Sequence, residues 1–202
     1  MGRLAMKKQL AGVCILMLFL LSLPVYAGVP LDTVQANVNK VLEVLRDPNL
    51  KPDSAKEIKI EKLRSIYNTM FDQTELSRRA LARNWSRFNP EQQKEFIQLF
   101  EQVLEKAYID KILSYTNEKI VFYKETNLSE NQVEVQSKII TSSKQIPIFY
   151  RVIKGDGTWK VYDVVVENVS LVLNYRTQFN EILAKNTPEQ LLEILRKKVN
   201  EQ

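Results

Sequence analysis

The chain has 202 residues, 45% of them hydrophobic, with a formal net charge of +5, one cysteine and no histidine. These counts exclude zinc, haem and copper sites built on Cys or His, and they exclude the Ser–His and Cys–His pairs of many hydrolases. After residue 27 the only glycines are Gly28, Gly155 and Gly157. P-loops, dinucleotide-binding turns and GxSxG nucleophile elbows all need further glycines, so they are excluded as well.

Residues 1–27 have the pattern of a secretory signal peptide. A basic start is followed by an uncharged apolar run over residues 10–23, and Ala27 is a small residue of the kind that precedes signal peptidase cleavage. The alternative is a retained membrane anchor, but the apolar run is shorter than the ~20 residues that span a bilayer. We therefore predict a mature chain of residues 28–202, about the size of one domain, without a cysteine because Cys14 is removed.

Cleavage also changes the charge. Three of the 29 Lys and Arg residues lie in the signal peptide, so the mature chain would carry 26 basic and 24 acidic residues, a net charge of +2. The sequence has no concentrated basic stripe with interleaved aromatic residues. Nucleic acid is therefore not an expected partner.

Apolar residues at helical spacing predict four helices in the first part of the mature chain. The first starts after Asp32, and the next three cover about 53–70, 72–85 and 90–115. The start of the fourth helix has a strong local signal over residues 89–92, where Asn-Pro-Glu-Gln combines a cap residue, a proline in the first turn and a glutamine three residues after the cap.

In the second part of the chain, the residue pattern predicts strands followed by helices. A period of two predicts strands at 119–125, 132–142, 145–154 and 158–167, with a hairpin at Gly155-Asp156-Gly157. Two further helices are predicted at about 169–185 and 188–199. This order of elements predicts an α+β fold, with helices packed on a twisted antiparallel sheet of about four strands.

The last predicted strand is apolar on both faces. Strict alternation puts Val161 and Val165 on one face and Tyr162, Val164 and Val166 on the other. A central strand buried on both sides explains this pattern. The alternative is that one of these faces contacts a bound apolar molecule.

Three blocks of sequence carry a family resemblance. They are FDQTELSRRALARNW (71–85), PEQQKEFIQLFEQVLEKAY (90–108) and WKVYDVVVENVSLVLNYRTQF (159–179). In these blocks, and over nearly the whole mature chain, the sequence resembles the MlaC family of periplasmic phospholipid-binding proteins, in the toluene-tolerance group. The chain has Asn168 where the family usually has glycine, and asparagine tolerates left-handed backbone better than most residues.

The resemblance implies a single lipid-binding domain that acts in the periplasm. It implies a phospholipid carrier that moves lipid between the membranes and maintains outer-membrane lipid asymmetry. The implied partners are an outer-membrane lipoprotein complex and an inner-membrane ABC transporter complex with a lipid-binding, membrane-anchored subunit. No cofactor, metal or catalytic residue is expected.

Two alternatives remain at this point. One is a carrier of another apolar lipid, such as a hopanoid. The other is a periplasmic hydrolase that uses Asp or Glu carboxylates, although no spacing in the sequence singles out a pair of them.

A lipid carrier needs an apolar pocket, expected between the helices and the sheet, because each exposed acyl CH₂ costs ~0.8 kcal/mol in water. Candidates on the long helix are Tyr108, Ile112 and Tyr115. Candidates on the strands are Val135, Ile139, Ile148, Tyr150, Val164 and Val166. For both groups ordinary core packing is an equal alternative. The favoured acyl contacts are Val169, Val172 and Leu173, which open the helix after the last strand.

Charged residues also have two interpretations each. Asp163 lies among apolar neighbours, and structural hydrogen bonding is favoured over catalysis, because a buried carboxylate needs partners. Two basic clusters could meet anionic headgroups or a partner, but a solvated helix face is the commoner explanation of such a pattern. The clusters are Arg78, Arg79 and Arg83, and Arg196, Lys197 and Lys198.

Overall fold

The computed structural model describes residues 30–115 and 117–200, so the predicted signal peptide lies outside the described residues. The helices are α1 (Pro30–Arg46), α2 (Lys56–Met70), α3 (Gln73–Leu81), α4 (Pro90–Leu113), α5 (Leu171–Leu183) and α6 (Pro188–Asn200). The strands are β1 (Lys119–Ser129), β2 (Gln132–Ile140), β3 (Gln145–Gly155), β4 (Thr158–Val166) and β5 (Val169–Ser170). Short 3₁₀ helices cover Pro48–Leu50, Asp53–Ala55 and Ala82–Arg87. Within residues 30–115 and 117–200, no helix is both long and apolar enough to cross a membrane.

The predicted start of the long helix is confirmed. α4 begins at Pro90, and the Asn89 side chain accepts a hydrogen bond from the Gln92 backbone N–H while the Gln92 side chain accepts one from the Asn89 N–H. Each side chain satisfies an N–H group that would otherwise lack a partner at a helix N-terminus. Because these contacts are local, the sequence alone was sufficient to place this boundary.

The prediction that the third helix runs over 72–85 was wrong at its C-terminal end. α3 ends at Leu81, Ala82 has a φ of 48°, and the chain continues as a 3₁₀ helix to Arg87. Arg87 Nη1 donates a hydrogen bond to the carbonyl oxygen of Leu183 in α5 at 3.0 Å. This long-range contact holds the changed chain direction, which local helix propensity does not encode.

The sheet is an antiparallel meander in the order β1-β2-β3-β4-β5. It therefore has one strand more than expected, because Val169 and Ser170 pair with the end of β4. The helix predicted from residue 169 consequently begins at Leu171, where the Ser170 hydroxyl accepts a hydrogen bond from the Leu173 N–H. The turn before β5 has left-handed backbone at Asn168, with a φ of 68°.

The buried apolar side chains form two clusters. The helical cluster joins α3, α4, α5 and α6, and its centre is an aromatic group of Phe96, Phe100, Tyr175 and Phe179. The sheet-side cluster packs α1 against the middle strands, with Val34, Val38, Leu42, Met70, Val133, Val135, Val152 and Val161 as its buried members. Phe71 contacts both clusters, so it connects the helical half of the protein to the sheet.

The predicted faces of β4 were wrong at Val161 and Tyr162. Val161 pairs with Val152, Val164 pairs with Tyr150, and the register shifts between these two pairs. This β-bulge inserts one extra residue, which reverses the alternation of faces. Val161 therefore shares a face with Val164, whereas Tyr162 lines the same cavity as Asp163 on the opposite side.

Candidate functional site

One face of the sheet, termed here the apolar face, collects aliphatic and aromatic residues from four strands. Directly opposite residues of antiparallel strands lie on the same face, so the strand register defines it. Its members are Ile120, Phe122, Val133, Val135, Ile139, Ile146, Ile148, Tyr150, Val152, Val161, Val164 and Val166. All six strand candidates from the sequence lie on this face.

Helix α1 covers only one end of the apolar face. Val34 and Val38 of α1 pack where Val135 and Val152 are fully buried. At the other end, termed the open end, Ile120, Ile139, Ile146 and Ile148 are partly buried and Val166 is 40% exposed. Val169 pairs with Val166 and is 61% exposed, so it lies at the rim of this open end. Exposed apolar surface of this kind marks sites of contact with proteins, membranes or ligands.

Sequence reasoning missed two members of the open end, Ile120 and Ile146. They flank Ile139 on the neighbouring strands β1 and β3. A signal for Ile146 was present, since it precedes Ile148 by two residues and a strand repeats its faces with that period. Ile120 could be placed only from the pairing of β1 with β2.

Ser137 places a polar side chain in the middle of the apolar face. Ser137 is fully buried, and its hydroxyl donates a hydrogen bond to the carbonyl oxygen of Ile148 at 2.9 Å. Burial raises the pKa of the Tyr150 hydroxyl to about 12, and a hydrogen bond with Ser137 opposes part of that rise. The buried Ser137 hydroxyl therefore has a backbone partner within the sheet.

We expect Tyr150 to make folding stability sensitive to alkaline pH. Its pKa is about 12 in the folded protein and about 10 in an unfolded chain. The folded state therefore holds the proton more tightly, and this stabilisation is present below about pH 10 and is lost as the pH rises towards 12. Urea unfolding at about pH 9 and about pH 11 should show a smaller loss of stability in Tyr150→Phe than in the wild type. Equal losses in the two proteins would contradict this assignment.

The three candidate residues near the end of the long helix lie in three different environments. Tyr108 packs against the helical cluster, and Ile112 is an exposed residue of the last turns of α4. Tyr115 packs against the sheet-side cluster; its hydroxyl donates to the Glu118 carbonyl oxygen and accepts from Arg46 Nη2, both at 2.6 Å. Tyr115 thus fixes the end of α1 beside the segment that enters β1.

The three favoured residues of the strand–helix junction also have different surroundings. Val169 is at the rim of the open end, Val172 is buried in the helical cluster, and Leu173 is 50% exposed. Val172 and Leu173 both line the cavity that Tyr162 and Asp163 line, on the side of the sheet opposite the apolar face. Only Val169 of these three shares a face with the strand candidates.

Asp163 accepts structural hydrogen bonds, as its surroundings in the sequence indicated. It is only 2% exposed and accepts hydrogen bonds from Ser170 Oγ at 2.6 Å, from Val172 N–H at 3.0 Å and from Arg151 Nη1 at 3.2 Å. These bonds tie β4 to the first turn of α5. Within the described ranges, no group of three or more His, Cys, Asp and Glu residues could hold a metal ion.

The two basic clusters are partly neutralised by nearby carboxylates. Arg79 Nε lies 2.6 Å from Glu75 Oε1, and Arg196 makes two hydrogen bonds to Glu95 at 2.6 and 3.0 Å. The Arg78 and Arg79 side chains lower the pKa of Glu75, although burial opposes them as the largest single influence. Much of the basic charge on these helices is therefore used in ion pairs within the protein.

Comparison with known proteins identifies one matching family and two relatives. The model of the MlaC protein family matches residues 35–197. The intermembrane phospholipid transport system binding protein MlaC of Haemophilus influenzae is 32% identical over 87 residues, which cover 41% of this chain and 41% of that protein. The toluene tolerance protein ttg2D of Pseudomonas putida is 24% identical over 177 residues, covering 87% of this chain and 82% of that protein.

A solved structure shares the fold. It is the phospholipid-binding protein from Ralstonia solanacearum in complex with a phospholipid, with a TM-score of 0.77, 23% identity, and coverage of 85% of this chain and 97% of that one. The α+β architecture and the meander of the sheet are thus those of a known fold. Since the family match extends over most of the sequence, the chain belongs to the MlaC protein family.

Proposed function

We propose that this protein is a phospholipid carrier and that the open end of the apolar face holds the acyl chains. The observation that carries the proposal is the register around Ile139, where Ile120 and Ile146 flank it on the neighbouring strands to form a partly uncovered aliphatic surface. Each CH₂ group moved from water onto such a surface gains ~0.8 kcal/mol. A bound lipid would cover the surface that α1 leaves open.

The candidate residues of the sheet differ in how far α1 covers them, and therefore in how directly a lipid could contact them. Ile139, Ile148 and Val166 line the open end, and Val169 lies at its rim. Tyr150 and Val164 border the part covered by α1, where they pack against the sheet-side cluster. Val135 lies beneath α1 and would be reached only if that helix moved. No catalytic group is needed, because the lipid passes from one apolar environment to another.

We further propose that the mature chain works in the periplasm. In this proposal it exchanges phospholipid with an outer-membrane lipoprotein complex and with an inner-membrane ABC transporter complex that has a membrane-anchored lipid-binding subunit. Such exchange would maintain outer-membrane lipid asymmetry. The signal-peptide pattern of residues 1–27 supports this location. The Haemophilus relative, described as part of an intermembrane phospholipid transport system, supports the role.

Two neighbouring isoleucines on opposite faces of β2 offer a matched test. Ile139→Glu should lose co-purifying phospholipid, because an ionised carboxylate among apolar groups has a large desolvation cost. Ile140→Glu should retain the lipid, because Ile140 is paired with Lys119 and Gln145 on the other face. Lipid extracted from equal amounts of each purified protein is identified and quantified by mass spectrometry.

The extracted lipid also separates the alternatives. Phospholipid in the wild type and in Ile140→Glu, with little in Ile139→Glu, supports the proposal provided that thermal melting shows both variants to be folded. If the extracted lipid is a hopanoid or another apolar lipid, the proposed lipid class would be wrong, but the apolar face would remain the proposed binding surface. Equal lipid in the two variants would exclude the open end as the acyl site.

A further inference from the structure

The cavity beside Tyr162 and Asp163 lies on the opposite side of the sheet from the apolar face. It has a volume of about 170 Å³ and lies between β4, α3 and α5. Three arginines line it, Arg79, Arg151 and Arg176, together with the single carboxylate of Asp163. Cavities that enclose a drug-sized ligand have volumes of about 300–1,000 Å³, so this one accommodates a smaller group.

Each of the three guanidinium groups is held in place through its Nε atom. Arg79 Nε donates to Glu75 Oε1 at 2.6 Å, and Arg151 Nε donates to Glu134 Oε2 at 3.2 Å. Arg176 Nε donates to the Arg79 carbonyl oxygen at 2.9 Å. Neither Glu75 nor Glu134 lines the cavity. Both carboxylates therefore position the arginines from outside it.

The terminal nitrogens of the arginines are the donors that remain. Among residues 30–115 and 117–200, no acceptor lies within hydrogen-bond distance of the Nη groups of Arg79 and Arg176, which bond only through Nε. The Arg79 guanidinium is further fixed by its position over the Tyr162 ring, 3.9 Å from the ring centroid. The oxygens of Asp163 accept from Ser170, Val172 and Arg151 and from neither of these Nη groups.

We infer that this cavity binds a phosphate-class oxyanion through Arg79, Arg151 and Arg176. A guanidinium group offers parallel N–H donors that match the oxygen atoms of a phosphate group. The half-exposed side chains of Leu128 and Leu173 also line the cavity and would contact an organic substituent of that phosphate. Both a lipid headgroup and free phosphate carry this chemistry. The inference is independent of lipid binding by the apolar face.

Calorimetric titration of the lipid-stripped protein with inorganic phosphate tests the site. Arg176→Gln should weaken phosphate binding on the order of ten-fold, because it removes charged donors aimed at the anion. The matched control is Arg83→Gln, which makes the same change of charge at an exposed position outside the cavity. That control should bind within about two-fold of the wild type, since the effect of an exposed surface charge is screened by salt.

Two further measurements keep the test decisive. Arg176→Lys should bind phosphate with intermediate affinity, because it retains the charge without the planar fork, and its melting temperature reports on folding. Co-sedimentation with phosphatidylglycerol-containing vesicles, compared with phosphatidylcholine vesicles, identifies the source of the anion. Weaker sedimentation of Arg176→Gln indicates a lipid headgroup, and unchanged sedimentation indicates free phosphate. A wild type that does not bind phosphate, or equal binding by Arg176→Gln, would overturn the inference.

Discussion

Replacing Phe100 by alanine is expected to lower the free energy of unfolding by about 4 kcal/mol. Phe100 is fully buried at the centre of the helical cluster, with ring centroids 4.9 Å from Tyr175, 5.2 Å from Phe179 and 5.5 Å from Phe96. Removal of the ring leaves a cavity between α4 and α5 that the surrounding helices fill only in part. Urea unfolding at neutral pH measures this loss.

An exposed aromatic residue provides the control for Phe100→Ala. Tyr123 on β1 is half-exposed, and Tyr123→Ala should change the free energy of unfolding by less than about 1 kcal/mol. The folded fraction of Phe100→Ala should still bind phospholipid, because the helical cluster and the apolar face have different buried members. Similar losses of stability in the two variants would show that Phe100 is not at the centre of a packed core.

Replacing Asp163 by asparagine is expected to lower the free energy of unfolding by about 3 kcal/mol. The carboxylate accepts hydrogen bonds from Ser170, Val172 and Arg151. An amide can present only one oxygen, so its NH₂ group would face a donor, and Arg151 would lose its charged partner at this site. The Arg151 side chain is 31% exposed, so water relieves part of that loss. Thermal and urea unfolding measure the change.

The exposed hairpin between β3 and β4 provides the matched control for Asp163→Asn. Asp156 has a φ of 46°, a conformation that asparagine also tolerates, so Asp156→Asn should change stability by less than about 0.5 kcal/mol. The folded fraction of Asp163→Asn should retain lipid. Normal stability combined with the loss of a hydrolytic activity would instead identify Asp163 as a catalytic residue.

The sequence by itself determined those features that depend on residues close together in the chain. The α4 boundary follows from hydrogen bonds between Asn89 and Gln92, three residues apart. The hairpin at Gly155-Asp156-Gly157 follows from the left-handed backbone that Gly157 adopts easily, with a φ of 78°. The period of two also puts Val135 and Ile139 on one face of β2, and Ile148 and Tyr150 on one face of β3, because a strand repeats its faces every two residues.

Only the tertiary structure decided how these elements combine. The bulge in β4, which moves Val161 to the apolar face, arises from pairing with β3 and has no signal in the local pattern. Which apolar residues are covered depends on where α1 crosses the sheet, so Val135 is buried and Val166 is not. The cavity of Arg79, Arg151 and Arg176 brings together residues from α3, β3 and α5. Period and capping describe interactions within a few residues, whereas burial and charge pairing depend on contacts between segments distant in the chain.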